Sequence, residues 1–167
     1  MTKKIEMFVK RLKRIQGRFG LHNSCLFASH VLCERFPYLR VQCGLFRIKW
    51  EGSITHVIHC DSVDPRTQKS YRCTVPSDEL NMEFEIEMKD TETLEMIQKE
   101  NSRVNYAPGE EDNRIIEMSN LNSQEYFEMM LRECSPSYVS TINALRQHLG
   151  MECIGSKKND SYSLICP

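Results

Sequence analysis

Apolar residues at Ile5, Phe8, Val9, Leu12 and Ile15 recur at three- and four-residue intervals, the spacing that gathers side chains on one helix face. A first helix is therefore predicted over 3–15, with Lys and Arg on its outer face. Gly17 and Gly20 let the loop 16–23 turn tightly. A second helix is predicted over 25–35, with Ser24 placed to accept a bond from an early free N–H. The period then drops to two. Strands are predicted over 39–50, broken at Gly44, over 53–63 and over 69–75, with the turn-forming run Asp-Pro-Arg-Thr-Gln at 64–68 between the last two. Met82, Phe84, Ile86 and Met88 alternate with glutamates, another strand-like pattern.

The remainder returns to helical spacing. Helices are predicted over 90–103, 122–134 and 135–150, with a loop at 106–113 and a short strand at 114–119. Asn122 and Glu125 have the spacing of a capping box. Ser135, Pro136 and Gly150 mark the start and stop of the last helix. A hairpin is predicted across Lys157–Asp160. The expected class is α+β: a helical and antiparallel-sheet half over 1–80 and a second, mostly helical half over 81–167.

Charge sharpens this division. Residues 1–50 hold 11 Lys and Arg against 2 Asp and Glu, whereas residues 78–133 hold 5 against 16. Either the two regions face each other or are simply solvated, or the basic surface meets an acidic partner or nucleic acid. The alternation of the basic residues with core positions favours the first. No apolar run approaches the roughly 20 residues of a membrane span, and the basic N-terminus lacks the apolar stretch of a secretory signal. A cytoplasmic protein with no membrane partner is expected.

The chain has 8 Cys. None forms a Cys-x-x-Cys pair, and reduced thiols are expected. Cys25 stands apart because it opens a predicted helix, whose positive end stabilises a thiolate. A base is then needed. Strand alternation puts Ile54, His56, Ile58 and Cys60 on one face and Thr55, Val57, His59 and Asp61 on the other. The apolar face should pack on the Cys25 helix, which favours His56 over His59. Asp61, Asp64 and Asp78 are the carboxylates near in sequence. A two-residue turn at 61–62 would set Asp64 opposite His59. A turn at 64–67 would bring Asp78 back beside His56. His56, His59, Cys60 and Cys73 have the chemistry of zinc ligands, but the two His point to opposite faces, so no metal site and no cofactor is expected.

A Cys opening a helix, a His on the following strands and then Asp-Pro resembles the papain-like superfamily in its transglutaminase-like form. The residues that carry the resemblance are Cys25, His56-Val57-Ile58 and Val63-Asp64-Pro65-Arg66-Thr67, with Gln16-Gly17 upstream similar to the papain lead-in. The resemblance implies a catalytic set of Cys25, His56 and Asp64. It also implies acyl transfer on an amide of a protein or peptide substrate, with Gln16 and the Cys25 N–H as candidate oxyanion donors. Leu145-Arg146-Gln147-His148-Leu149-Gly150, followed by Ser161-Tyr162-Ser163-Leu164, resembles the closing helix and hairpin of winged-helix effector domains. That resemblance implies a targeting module, with Ser137, Ser140, Asn143, Arg146 and Gln147 outward. Two functions are thus expected to compete. One is a cysteine-dependent protease, deamidase or transglutaminase-like enzyme. The other is a non-enzymatic regulator that binds DNA or a protein partner through the winged helix.

Overall fold

Residues Leu26–Cys33 of the second helix are all buried, so this helix is covered on every side and organises the rest. A computed structural model describes residues 2–21, 24–50, 52–74, 81–90, 106 and 109–155. These form helices α1 (Thr2–Arg18) and α2 (Cys25–Arg35), strands β1 (Arg40–Trp50), β2 (Ser53–Asp64), β3 (Lys69–Tyr71) and β4 (Asn81–Glu87), and helices α3 (Glu110–Ser119), α4 (Ser123–Glu133) and α5 (Pro136–His148). The class is α+β. The sheet is antiparallel, in the order β3-β2-β1-β4.

One side of α2 lies against β2 and β1, and the other against α4, with contacts to α1 and α3. Leu12, Val31, Leu32, Leu45, Ile142 and Leu145 are fully buried in one shared core. Small residues set the closest approach to the sheet. Ser29 donates to the Cys60 carbonyl (3.2 Å), and Ser62 donates to the Ser29 carbonyl (3.1 Å). On the other side, Ser123 donates to the His30 carbonyl (3.1 Å), and the His30 ring stacks on Tyr126 at 4.0 Å.

The charge division is resolved across β1 and β4. Arg40 pairs with Glu87 at 2.6 Å, and Arg47 pairs with Glu83 and, at 3.4 Å, with Glu85. The basic front thus meets the acidic middle within one sheet. No helix among the described residues is long and apolar enough to cross a membrane.

Several local expectations change. Helix α1 continues through Gly17, and Gly20, at φ +66, makes the turn. Strand β3 stops at Tyr71. Residues 110–113, expected in a loop, and 114–119, expected as a strand, form α3 instead. Its first turn, Glu110-Glu111-Asp112, complements the positive helix end, and the Asp112 carboxylate accepts the Gly109 N–H at 2.9 Å. Isoleucines 115 and 116 suit a strand locally, but the cap and first-turn charges favour a helix. In α4, Asn122 and Glu125 form the expected reciprocal cap, both bonds at 3.0 Å. In α5, Ser135 accepts the Tyr138 N–H.

The outward face expected of α5 is only partly outward. Asn143 and Arg146 are buried. Asn143 accepts the Ile154 N–H at 2.8 Å, and Arg146 clasps Glu34 of α2 with two bonds of 2.6 and 2.8 Å. The one firm cation of this helix expected to face a nucleic acid is consumed inside the protein; Lys157 and Lys158, the cations expected on the hairpin, lie outside the described residues. The expected helix over 90–103 and hairpin across 157–160 lie outside the described residues.

Candidate active site

Cys25 is the first residue of α2 and is only partly buried, unlike the eight residues after it. Its backbone N–H is among the first of the helix, which have no partner within it. Ser24 precedes it but does not cap by accepting a bond; its hydroxyl donates to the Leu21 carbonyl at 2.8 Å. The positive end of α2 is therefore not covered by the Ser24 side chain.

The Cys25 side chain contacts two consecutive residues of β2, His59 and Cys60. Strand β3 pairs only with Ser62–Asp64. It stops short of His59 and Cys60. Nε2 of His59 lies 3.2 Å from Oδ1 of Asp61. This is an ion-pair contact, off the line of a well-directed hydrogen bond, between two buried atoms. Ser70 donates to Oδ2 of Asp61 at 2.6 Å, and Nε of Arg72 lies 3.5 Å from the same oxygen. Phe46 sets its ring edge-on to the His59 imidazole at 5.1 Å, with the Arg72 guanidinium 5.5 Å above the Phe46 ring.

Opposite His59, on β1, is Gly44. A Cβ at Gly44 would collide with the Phe84 ring and come within 2.9 Å of the Ile86 carbonyl oxygen. The missing side chain lets β4 close over β1, bringing Phe84 to 5.3 Å from Phe46.

The charge states follow from these contacts. Cys60, hydrogen-bonded to the sulfur of Cys25, holds the Cys25 thiol well below its ordinary pKa. Burial opposes this, and His59 adds to it. Burial alone would lower the His59 pKa, but Asp61 and Cys25 outweigh it and raise it to about 9. Burial likewise opposes ionisation of Asp61, yet His59, Ser70 and Arg72 hold its carboxyl below the ordinary range. The bond to Cys25, a second bond to Cys43 and burial push the Cys60 thiol well up. These directions favour a Cys25 thiolate beside a His59 imidazolium and an Asp61 carboxylate, with Cys60 as the protonated donor.

The structure brings Cys25 together with His59 and Asp61, not with His56 and Asp64. Helix α2 does pack on the His56 face of β2, as the Ser29 and Ser62 bonds show. Position along the strand decides the contact instead. His56 is three residues nearer the start of β2 than His59, about 10 Å at the rise of an extended strand. There its Nε2 lies 3.0 Å from Glu85 of β4. Asp64 ends β2 and serves the turn. Its carboxylate accepts from the Arg66 backbone N–H (3.0 Å), Nε (3.0 Å) and Nη2 (2.8 Å). The turn spans residues 65–68, since Asp64 pairs with Lys69, so neither Asp61 nor Asp64 lies opposite His59. Asp78 lies outside the described residues. Gln16 is buried in α1, and its side-chain amide has no hydrogen-bond partner among the described residues. Among the described residues, no three His, Cys, Asp or Glu side chains are grouped to hold a metal ion.

Two parts of the site escaped the sequence reading. The shared face of His59 and Asp61 is visible in the alternation of β2, but the point where Cys25 meets the strand is not. The Cys25–Cys60 contact has no local signal at all. Comparison of the chain with protein-family models, with curated proteins and with solved structures finds no match.

Proposed function

We propose that this chain is a cysteine-dependent acyl-transfer enzyme acting on an amide of a peptide or glutamine side chain. Cys25 is the nucleophile, His59 the acid–base group and Asp61 the residue that orients and charges the imidazole. The observation that carries the reading is the contact of a helix-opening Cys25 with His59, whose Nε2 lies 3.2 Å from Asp61.

In this reading the Cys25 thiolate attacks the carbonyl carbon, and the oxygen takes up the electron pair near the first N–H groups of α2. The oxyanion collapses, the C–N bond breaks and His59 gives its proton to the departing amine. Water or a second amine then attacks the thioester, with His59 as base, and releases Cys25. Ser70 and Arg72 keep Asp61 ionised throughout. Phe84, 44% exposed, stands next to Phe46 beside His59, which supports an apolar side chain near the scissile amide. The resemblance of residues 16–65 to transglutaminase-like enzymes shares only Cys25 with this set, because its His56 and Asp64 pair with Glu85 and Arg66 instead.

Iodoacetamide labelling at about pH 6, followed by mass spectrometry of each cysteine peptide, tests the thiolate. Cys25 is expected to alkylate at least tenfold faster than any other cysteine. Equal rates would remove the basis of the proposal. Release of ammonia from glutamine peptides, or hydroxamate formation with hydroxylamine as acceptor, then tests turnover, with Cys25→Ala as the inactive control.

A further inference from the structure

Two further thiols lie behind the candidate nucleophile. Ser29, one turn past Cys25 on α2, donates to the Cys60 carbonyl at 3.2 Å, and the Cys60 thiol interacts with Cys25 on one side and Cys43 on the other. Cys43 is its direct partner across β1 and β2. Cys60 is completely buried, whereas Cys25 is partly open to solvent. A small oxidant therefore reaches Cys25 first and finds a second thiol already in contact with its sulfur.

We propose that Cys25 and Cys60 form a reversible disulfide under hydroperoxide oxidation, with Cys60 as the resolving thiol, and that this bond closes the site. The Cys25 thiolate attacks one oxygen of hydrogen peroxide, the O–O bond breaks, and Cys25 becomes a sulfenic acid with release of hydroxide. The Cys60 sulfur then attacks the Cys25 sulfur. An S–S bond forms, the S–O bond breaks, and the hydroxyl leaves with the Cys60 proton as water. Two thiols are oxidised and one peroxide is reduced to two waters. A disulfide here needs the two Cα atoms within about 7 Å of each other. The bond removes the nucleophile, the donor that holds it as thiolate and the partner of His59 in one step. The regulatory meaning rests on the thiol-enzyme reading; the bond itself does not.

The protein treated with a small excess of hydrogen peroxide is expected to lose the mass of two hydrogens and the fast iodoacetamide reaction of Cys25, and to regain both with dithiothreitol. Trypsin separates the three thiols into peptides 19–35, 50–66 and 41–47. Unreduced digestion should give 19–35 joined to 50–66, with fragmentation placing the bond at Cys25 and not at Cys33. In Cys60→Ser, Cys25 is expected to take up two oxygens instead and to resist dithiothreitol. Cys43→Ser should form the bond as the parent does. Peptide 50–66 joined to 41–47, or no crosslink, would overturn the proposal, and the unmutated protein alone decides this if Cys60→Ser does not fold. A crosslink in a protein without acyl-transfer activity would uphold the bond and sink the enzyme reading.

Discussion

His59 and His56 lie on one strand and differ in what they meet. His59 meets a thiol and a carboxylate; His56 meets Glu85 of β4. The His59→Ala variant should slow Cys25 alkylation at about pH 6 by tenfold or more, since one pKa unit changes the thiolate fraction about tenfold. The His56→Ala variant should leave that rate within about twofold. The opposite ranking, read by the same peptide-resolved labelling, would return the role to His56. Burial pushes the His30 pKa from 6.5 to about 4. A depressed folded-state value means that the unfolded chain binds the proton more readily. His30 thus contributes fully above about pH 6.5, and the contribution is lost as pH falls toward about 4, by up to roughly 3 kcal/mol. Urea midpoints for the parent should drop over that window, and His30→Gln should flatten the drop.

Strand β1 shows how one missing side chain aligns an element. The Gly44→Ala change puts a Cβ against the Phe84 ring and the Ile86 carbonyl, and overpacking of this kind costs about 1–3 kcal/mol. Adding Phe84→Ala should recover only part of that loss in a urea titration, because the Ile86 carbonyl remains 2.9 Å from the new carbon. Full recovery would mean that the backbone contact is readily relieved. Much at this scale was legible in the sequence. Helix α2 and strand β2 follow from their spacing, and the cap of α4 from Asn122 and Glu125. Helix α3 did not follow, because Arg114-Ile115-Ile116 has strand propensity and the deciding cap at Gly109 lies inside a run that reads as loop. The site was half legible for a related reason. Period two assigns residues to faces, but only tertiary packing decides where along β2 a helix terminus lands.

Across the whole molecule, Arg146 ties the C-terminal helices to the central one. It pairs with Glu34, donates to the Glu152 carbonyl at 2.7 Å and lies 4.6 Å from the Phe127 ring. An Arg146→Ala change strands a carboxylate and a carbonyl, and should cost roughly 2–4 kcal/mol. Arg146→Lys should restore less than half of it, since an ammonium cannot make the paired contact. Hydrogen exchange should show α5 losing protection before β2 in the Ala variant. Uniform loss would mean that the clasp carries no local role. This residue was also the most misleading in the sequence. An Arg on the last helix of a winged-helix-like pattern reads as a DNA contact, and only its pairing with Glu34 of α2 turns it inward.

The sequence His59-Cys60-Asp61 compresses a proton carrier, a thiol donor and a carboxylate into adjacent positions whose side chains alternate across the strand. Such an arrangement is a vernier. Sliding β2 by one residue against α2 would exchange every role, setting Ile58 or Cys60 where His59 now stands, and would turn the buried Cys60 and Ser62 away from α2 in the same step. Insertions or deletions that shift β2 are therefore expected to lose the site and the packing of α2 together. The register that assembles the chemistry is the register that holds the fold.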